Sequence, residues 1–427
     1  MSTRASLVCG VAAVIALLFG LLGADIPAAV GAPPVCTNSL APPGFRVLLC
    51  LEVPAAGATL TGATVARAAV DVSGAAPQVN GVTYTLDGAY LLFDAQSPYT
   101  FTLHTYLFTP GPHTLSVSAD FSGGFHSPPV SLPVTFASST APPPPHAFMP
   151  STGTAPVPGM PLVVAAGGDG ASGMTREQQV ADLIAGWHPN LFLYLGDVYE
   201  NGSPEELLNW YGENGSLFSR FRSITDPTIG NHEYTLSPTA QPYVDYWGGI
   251  PHYYSFDAGG WHFVSLDDTA EYGQGAVTSR QYQWLAADLA RNTEPCTLVF
   301  FHRPVFSLDA DSEATDYAAY WQLLNAHRVT LTLSGHAHNY QRWQPMDGRG
   351  KVDAGGVTEI VAGTAGQWLS PFVRADSRLA AGFDNTTTGP GALQLRLSGG
   401  AAAFSFQNVS GTVLDQGEVT CKGGAQP

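Results

Sequence analysis

The sequence predicts a multidomain protein: an N-terminal all-β sandwich module, a Pro-rich linker, and a domain in which strands alternate with helices. Three observations carry this reading. Between about residues 36 and 138, apolar side chains recur at every second position in short runs separated by Gly, Pro and Asp turns. The stretch "ASSTAPPPPHAFMPSTGTAPVPG" then interrupts all periodicity, as an extended, semi-rigid connector does. From about residue 161, short apolar runs alternate with helical segments that carry their own start signals, the pattern of an α/β layered core.

Taken in order, the chain opens with Arg4, an apolar run over residues 7–22 and then small residues. This reads as a secretory signal over residues 1–32, cleaved near Ala32. The run is too short for a comfortable bilayer span, so no stable membrane span is expected after cleavage. The module, residues 33–138, shows Val82, Tyr84 and Leu86, then Tyr99, Phe101 and Leu103, then Leu115, Val117 and Ala119 in period-2 runs. It resembles the immunoglobulin-like modules of extracellular enzymes. Its His104, His113 and His126 are scattered and read as structural or surface residues. The linker is residues 139–160.

The remainder, residues 161–427, carries strands at "PLVVAA", "LFLYL", "WHFVSL", "CTLVFF" and "VTLTL". Helices are predicted at "MTREQQVADLIAGW", with Thr175 and Gln178 as a capping box, and from "SPEELLNWYG". In the latter, Ser203 is the N-cap, Pro204 the first helical residue and Glu206 the partner that completes the box. Two more helices are predicted at "TSRQYQWLAADLARN" and "YAAYWQLLNAH", and the tail from about 391 to 421 reads as β.

Composition narrows the function classes. The chain has 427 residues, 45% hydrophobic and 12% charged, which fits folded domains rather than disorder. A net charge of −17 argues against nucleic acid as a main partner, since a phosphate backbone selects basic patches. Cys9 leaves with the signal. Cys36, Cys50, Cys296 and Cys421 remain, an even set suited to disulfides in a secreted or extracytoplasmic protein. Three pairings are open. Cys36–Cys50 is the local one, and it leaves Cys296–Cys421 to tie the last strand back to the second domain.

The residues with metal-binding chemistry stand just past the strand ends. Asp169 comes after "PLVVAAGG", Asp197 and Tyr199 come after "LFLYLG", and Asn231, His232 and Glu233 come after "DPTIG". His302 comes after "CTLVFF", and His336 and His338 come after "VTLTLSG". The C-terminal ends of strands in an α/β sheet are where sites are built. A carboxylate can bridge two cations and offset their repulsion, while neutral imidazole and amide oxygen complete a mixed O and N set that suits Fe, Zn or Mn. Such ions activate water and orient a phosphate ester for in-line attack.

These residues carry a resemblance. Residues 161 to about 345 resemble the calcineurin-like metallophosphoesterases, in the purple acid phosphatase branch, through five ordered blocks: "GDGAS", "GDVYENG", "GNHEY", "FFHRP" and "GHAHNYQR". The resemblance implies a four-layer fold, a central β-sandwich flanked by helices. It implies two metal ions, Fe with Zn, Mn or Fe. Asp197 would bridge them. Asp169, Tyr199 and His338 would hold the first metal; Asn231, His302 and His336 would hold the second. His232 would protonate the leaving alkoxide, with Asp197 and Asn231 also catalytic, and a metal-bound hydroxide would attack a phosphomonoester. The alternatives are phosphodiester or nucleotide hydrolysis on the same fold, or an inactive surface binding protein.

Two positions depart from the family pattern. Ala171 stands where many relatives have a His, which favours the branch that uses a Tyr ligand. Tyr199 lies two residues after Asp197 rather than three, with Glu200 in the usual slot, so ligation by Tyr199 requires the loop to shift. Glu233 and Tyr234 are expected to support the His232 loop. Tyr340 and Arg342 either orient the histidine pair, contact phosphate, or pack the loop. His188, His252, His262 and His327 read as structural. The aromatic stretch "YVDYWGGIPHYYSF" reads as packing, with lining of a substrate cleft as the alternative. The β module is expected to act as a spacer, or to engage a surface or extracellular partner.

Overall fold

The computed structural model describes residues 33–41, 44–142, 145–151, 159–269, 277–310 and 317–423. The expected signal segment, residues 1–32, lies outside them. No helix among the described residues is long and apolar enough to cross a membrane.

The N-terminal module is built from strands alone save for one short turn of helix. Its strands are β1 (Val35–Ala41), β2 (Phe45–Val53), β3 (Thr59–Leu60), β4 (Ala63–Ser73), β5 (Val79–Leu86), β6 (Ala89–Asp94), β7 (Thr100–His104), β8 (Gly111–Phe121), β9 (Phe125–His126) and β10 (Val130–Phe136). They form two facing sheets, ordered β1-β2-β4-β7 and β3-β10-β8-β5-β6. The alternation read from the sequence is the inward face: Val82, Tyr84, Leu115 and Val117 are buried in one apolar cluster. Cys36 and Cys50 face each other across the β1–β2 pair and form a disulfide.

The second domain is a sandwich of two sheets. One contains β11 (Leu162–Gly167), β12 (Leu191–Tyr194), β13 (Thr225–Pro227), β21 (Gly391–Leu397), β22 (Ala401–Asn408) and β23 (Val413–Thr420). Its order is β13-β12-β11-β21-β22-β23. The other contains β14 (Tyr254–Ala258), β15 (Trp261–Ser265), β16 (Cys296–Phe300), β17 (Leu331–Ser334), β18 (Tyr340–Trp343), β19 (Thr358–Ala362) and β20 (Leu379–Phe383). Its order is β14-β15-β16-β17-β19-β18-β20. Along β16 the side chains alternate between two cores: Leu298 and Phe300 join the inter-sheet cluster, while Val299 joins the layer of α3 (Arg280–Arg291) and α4 (Ala318–Ala326). Helix α1 (Thr175–Gly186) contacts β21 of the other sheet. This is the helix-flanked sandwich that the sequence implied. The Cys296–Cys421 disulfide links the start of β16 to the chain just after β23, so it joins the two sheets.

One start signal is used differently from the expectation. Helix α1 begins at Thr175 itself, with Met174 at the N-cap and no side-chain cap bond. The Glu177 carboxylate takes the amides of Ser172 and Gly173 instead, each at 3.1 Å. Thr175 Oγ1 donates to Gln96 Oε1 of the module at 3.2 Å. The second signal holds as read: α2 (Pro204–Glu206) has the reciprocal capping box of Ser203 and Glu206.

The module is docked on the second domain. Asn209 pairs with the Thr102 backbone, accepting its N–H at 2.8 Å and donating to its carbonyl at 3.0 Å. His104, read as structural or superficial, is buried in this contact. Its Nδ1 lies 2.6 Å from Glu205 Oε2 and its Nε2 lies 2.9 Å from Glu213 Oε1.

Candidate metal centre

Parallel strands deliver the side chains. Just past the ends of β11, β12 and β17 stands a Gly followed by a residue in the left-handed region: Asp169 at φ 59°, Asp197 at φ 65° and His336 at φ 62°. Such backbone is unusual outside glycine and concentrates at functional sites. The motif glycines are spatially required. A Cβ on Gly230 would lie 2.1 Å from Asp197 Oδ1, and one on Gly335 would lie 2.6 Å from Asp169 Oδ2.

The expected ligands converge in two groups that share Asp197. In the first, His302 Nε2 lies 3.1 Å from Asp197 Oδ2, 3.1 Å from Asn231 Oδ1 and 3.1 Å from His336 Nδ1. Donor atoms of Asp197, His302 and His336 all lie within 4.8 Å of one another. In the second, the Tyr199 hydroxyl lies 2.7 Å from Asp169 Oδ1, 3.0 Å from Asp197 Oδ2 and 2.8 Å from His338 Nε2. The structure thus places the Tyr199 hydroxyl among the side chains expected to hold the first metal. His232 stands at the rim, its Nε2 3.8 Å from Asp197 Oδ2 and its N–H donated to Asp197 Oδ1 at 3.0 Å. Its Nδ1 meets the Glu200 carbonyl.

Backbone carbonyls and a buried carboxylate hold this set. His302 Nδ1 meets the Leu195 carbonyl at 2.8 Å, and His338 Nδ1 meets the Trp368 carbonyl at 2.9 Å. Each contact fixes the proton on Nδ1 and turns the Nε2 lone pair inward. The Glu233 carboxylate accepts the amides of Val198 at 2.7 Å and Gly230 at 2.8 Å, clamping the Asp197 and Asn231 loops together. Tyr234 donates to Asp267. Both residues thus support the loops, as expected.

This arrangement fits a cation. With Nδ1 committed as a donor, the Nε2 lone pair of neutral His302 would face two further acceptors, Asp197 Oδ2 and Asn231 Oδ1. Either a proton or a metal must sit among them. Ligands at about 2.1 Å from one ion, at angles near 90–110°, lie roughly 3.0–3.4 Å apart, which matches these contacts. The electrostatics agree. Burial disfavours charge on His302, yet the Asp197 carboxylate raises its imidazole to about 10. Burial and the neighbouring His302 charge push His336 down to about 3, leaving it a neutral donor. Burial would raise Asp197, but the His302 and His232 imidazoles outweigh it and hold the carboxyl well below its usual range.

Asp197, Tyr199, His232, His336 and His338 open onto a cavity of about 490 Å³, together with Arg303, Asp309 and Ser370. Sequence reasoning missed Arg303, whose buried Nε has no hydrogen-bond partner. Its signal was a cation placed directly after His302 in "FFHRP". Tyr340 and Arg342 turn away from the site. Tyr340 donates to Asp415 Oδ2 at 2.8 Å, and Arg342 binds the same carboxylate at 2.7 and 3.1 Å, so their role is packing. In the aromatic stretch, Tyr243, Trp247, Tyr254 and Phe256 are buried core residues. His252 and His262 bind Asp267 and Asp288 away from the cavity.

Residues 175–340 match the model of the family "Calcineurin-like phosphoesterase", and residues 49–117 match "Bacterial Ig domain". Residues 175–340 are therefore similar to calcineurin-like phosphoesterases, and the segment before them is similar to bacterial immunoglobulin-like domains. Among its relatives is purple acid phosphatase 22 of Arabidopsis thaliana, 34% identical over 37% of this chain and 42% of the relative. Purple acid phosphatase 18 of the same plant is 32% identical over 33% of this chain and 35% of the relative. The chain thus aligns with less than half the length of these curated relatives. A purple acid phosphatase from yellow lupin (Lupinus luteus) seeds superposes with a TM-score of 0.46 at 14% identity, over 91% of this chain and 74% of that one.

Proposed function

We propose that the protein is an exported phosphatase that hydrolyses phosphomonoesters at a centre of two metal ions, Fe with Zn, Mn or Fe. The observation that carries this reading is the pair of ligand groups sharing Asp197. Asn231, His302 and His336 with Asp197 would hold one ion; Asp169, Tyr199 and His338 with Asp197 would hold the other. When bound, the ions lower the pKa of a coordinated water and offset the charge of the phosphoryl oxygens.

The protein's own groups do the rest. Asp197 would be shared by the two ions and, through Oδ1, accepts the His232 backbone N–H. His232, half-buried at the cavity rim with Nδ1 on the Glu200 carbonyl, presents Nε2 to the leaving oxygen and delivers the proton that an alkoxide needs. Arg303 faces the same cavity and would bind a phosphoryl oxygen. Export is supported by the signal-like N-terminus and the two disulfides. The division into a signal at 1–32, a module at 33–138, a linker at 139–160 and a catalytic domain at 161–427 belongs to the same proposal.

The test compares turnover of an aryl phosphate monoester, with metal content, in the wild type, Asp197→Asn and His336→Ala. Both variants should lose turnover and metal while keeping a native circular dichroism spectrum. Wild-type turnover in both would refute the centre. A strong preference of the wild type for a bis-aryl diester would refute the monoester assignment alone.

A further inference from the structure

One carboxylate connects the immunoglobulin-like module to the metal-binding loop. Glu206 is fully buried. Its Oε1 accepts the Glu200 N–H at 2.7 Å, and its Oε2 accepts the N–H groups of Asn201 at 3.0 Å and Ser203 at 2.9 Å. These amides belong to the loop that leaves Tyr199. The fourth donor comes from the other domain: the hydroxyl of Tyr90, on β6, donates to Glu206 Oε1. Ser203 Oγ also donates to the carbonyl of Leu91, the next residue of β6. The loop is thereby fastened to the module on one side. On its other side, Tyr199 reaches Asp169, Asp197 and His338, and the Glu200 carbonyl holds His232.

A capping box alone needs only the Ser203 and Glu206 pair. Here the same carboxylate also gathers two upstream amides and a hydroxyl contributed by a separate domain. A buried carboxylate is stabilised by such donors, and removing one leaves an acceptor that water does not reach. Docking of the module does not rest on this contact alone. Asn209 with Thr102, and His104 with Glu205 and Glu213, hold the two domains together without touching residues 199–203.

We propose that the module is a working part of the active centre: the Tyr90 hydroxyl, through the Glu206 carboxylate, positions the 199–203 loop and with it Tyr199 and His232. The module is then more than the spacer its sequence suggested. Tyr90 and Glu206 are positioning residues, and the inference rests on the assignment of Tyr199 as a ligand.

The test uses the full chain as Tyr90→Phe, Glu206→Gln and Asn209→Ala, read by hydrogen exchange, metal content and steady-state kinetics. In Tyr90→Phe and in Glu206→Gln, the amides of 200–203 should exchange faster. In both, kcat should fall about 10–100-fold, the range for groups that orient metal ligands, with KM little changed. Asn209→Ala, which removes two docking bonds and leaves the Tyr90 contact, should match the wild type in both readouts. Wild-type exchange at 200–203 in Tyr90→Phe, or unchanged kcat, would overturn the proposal. Equal losses in Tyr90→Phe and Asn209→Ala would also overturn it, because docking alone would then explain them. A wild type that neither binds metal nor turns over would refute the functional assignment, while the exchange comparison would still decide whether Tyr90 holds the loop.

Discussion

Opening the Cys296–Cys421 disulfide should cost the second domain more than opening Cys36–Cys50 costs the module. The bonds close loops of very different size, with sequence separations of 125 and 14 residues. In the chain-entropy treatment, the longer loop restrains the unfolded chain by about 4.9 kcal/mol at 25 °C and the shorter by about 3.0 kcal/mol. The gap of about 1.9 kcal/mol comes from loop length alone. The buried Cys296 is best replaced by Ala, which leaves no unpaired hydroxyl, and Cys421 by Ser. The comparison variant is Cys36→Ser with Cys50→Ser. The probes separate by domain: all 8 tryptophans lie at or after Trp187, so fluorescence reports the second domain, and far-UV circular dichroism reports the module as well. Urea unfolding then gives each free-energy loss in its own transition. A loss in the second domain no larger than the module's would refute the entropic reasoning.

Two further outcomes concern residues outside the ligand set. Burial opposes charge on His104, but Glu205 and Glu213 outweigh it and raise the imidazole above its ordinary value. A raised folded value stabilises the docked state fully below the unfolded pKa, about 6.5, and that contribution is lost as pH rises through the folded value. Urea midpoints should therefore fall as pH rises past about 6.5 in the wild type, and less steeply in His104→Asn; an unchanged slope would refute the linkage. Arg303→Ala should lower kcat/KM for phosphate esters roughly 10–100-fold, as loss of about 1.5–3 kcal/mol of charge-assisted bonding implies. Inhibition by inorganic phosphate should weaken in parallel, and unchanged inhibition would remove Arg303 from phosphate binding.

The parts of the site legible in the sequence were those delivered by strand ends. Asp169, Asp197 and His336 each come directly after a Gly at a strand terminus, so local pattern and chemistry coincide. Tyr199 was less legible because its spacing from Asp197 breaks the family pattern. Its place beside Asp169 and His338 depends on supports that spacing does not encode: Glu233 holds the Val198 amide and Glu206 holds the Glu200 amide. Tyr90, His104 and Arg303 were not read as functional. Tyr90 and Glu206 are 116 residues apart, and His104 and Glu205 are 101 apart, so no periodicity or motif links them. Tyr340 and Arg342 show the opposite case. Their place in a ligand motif suggested a role in the site, whereas Asp415 on β23 claims both.

The docked module has a consequence for how this protein can be recombined. A Pro-rich connector invites cutting, and chimaeras made there would exchange the module as if it were a bead on a string. The contacts of Tyr90, Leu91, Thr102 and His104 place the true seam elsewhere, along β6 and β7 and the 199–213 segment. A module from another protein would have to bring matching donors at those positions. Inheritance of the two halves as one unit, rather than free shuffling, is what this seam favours.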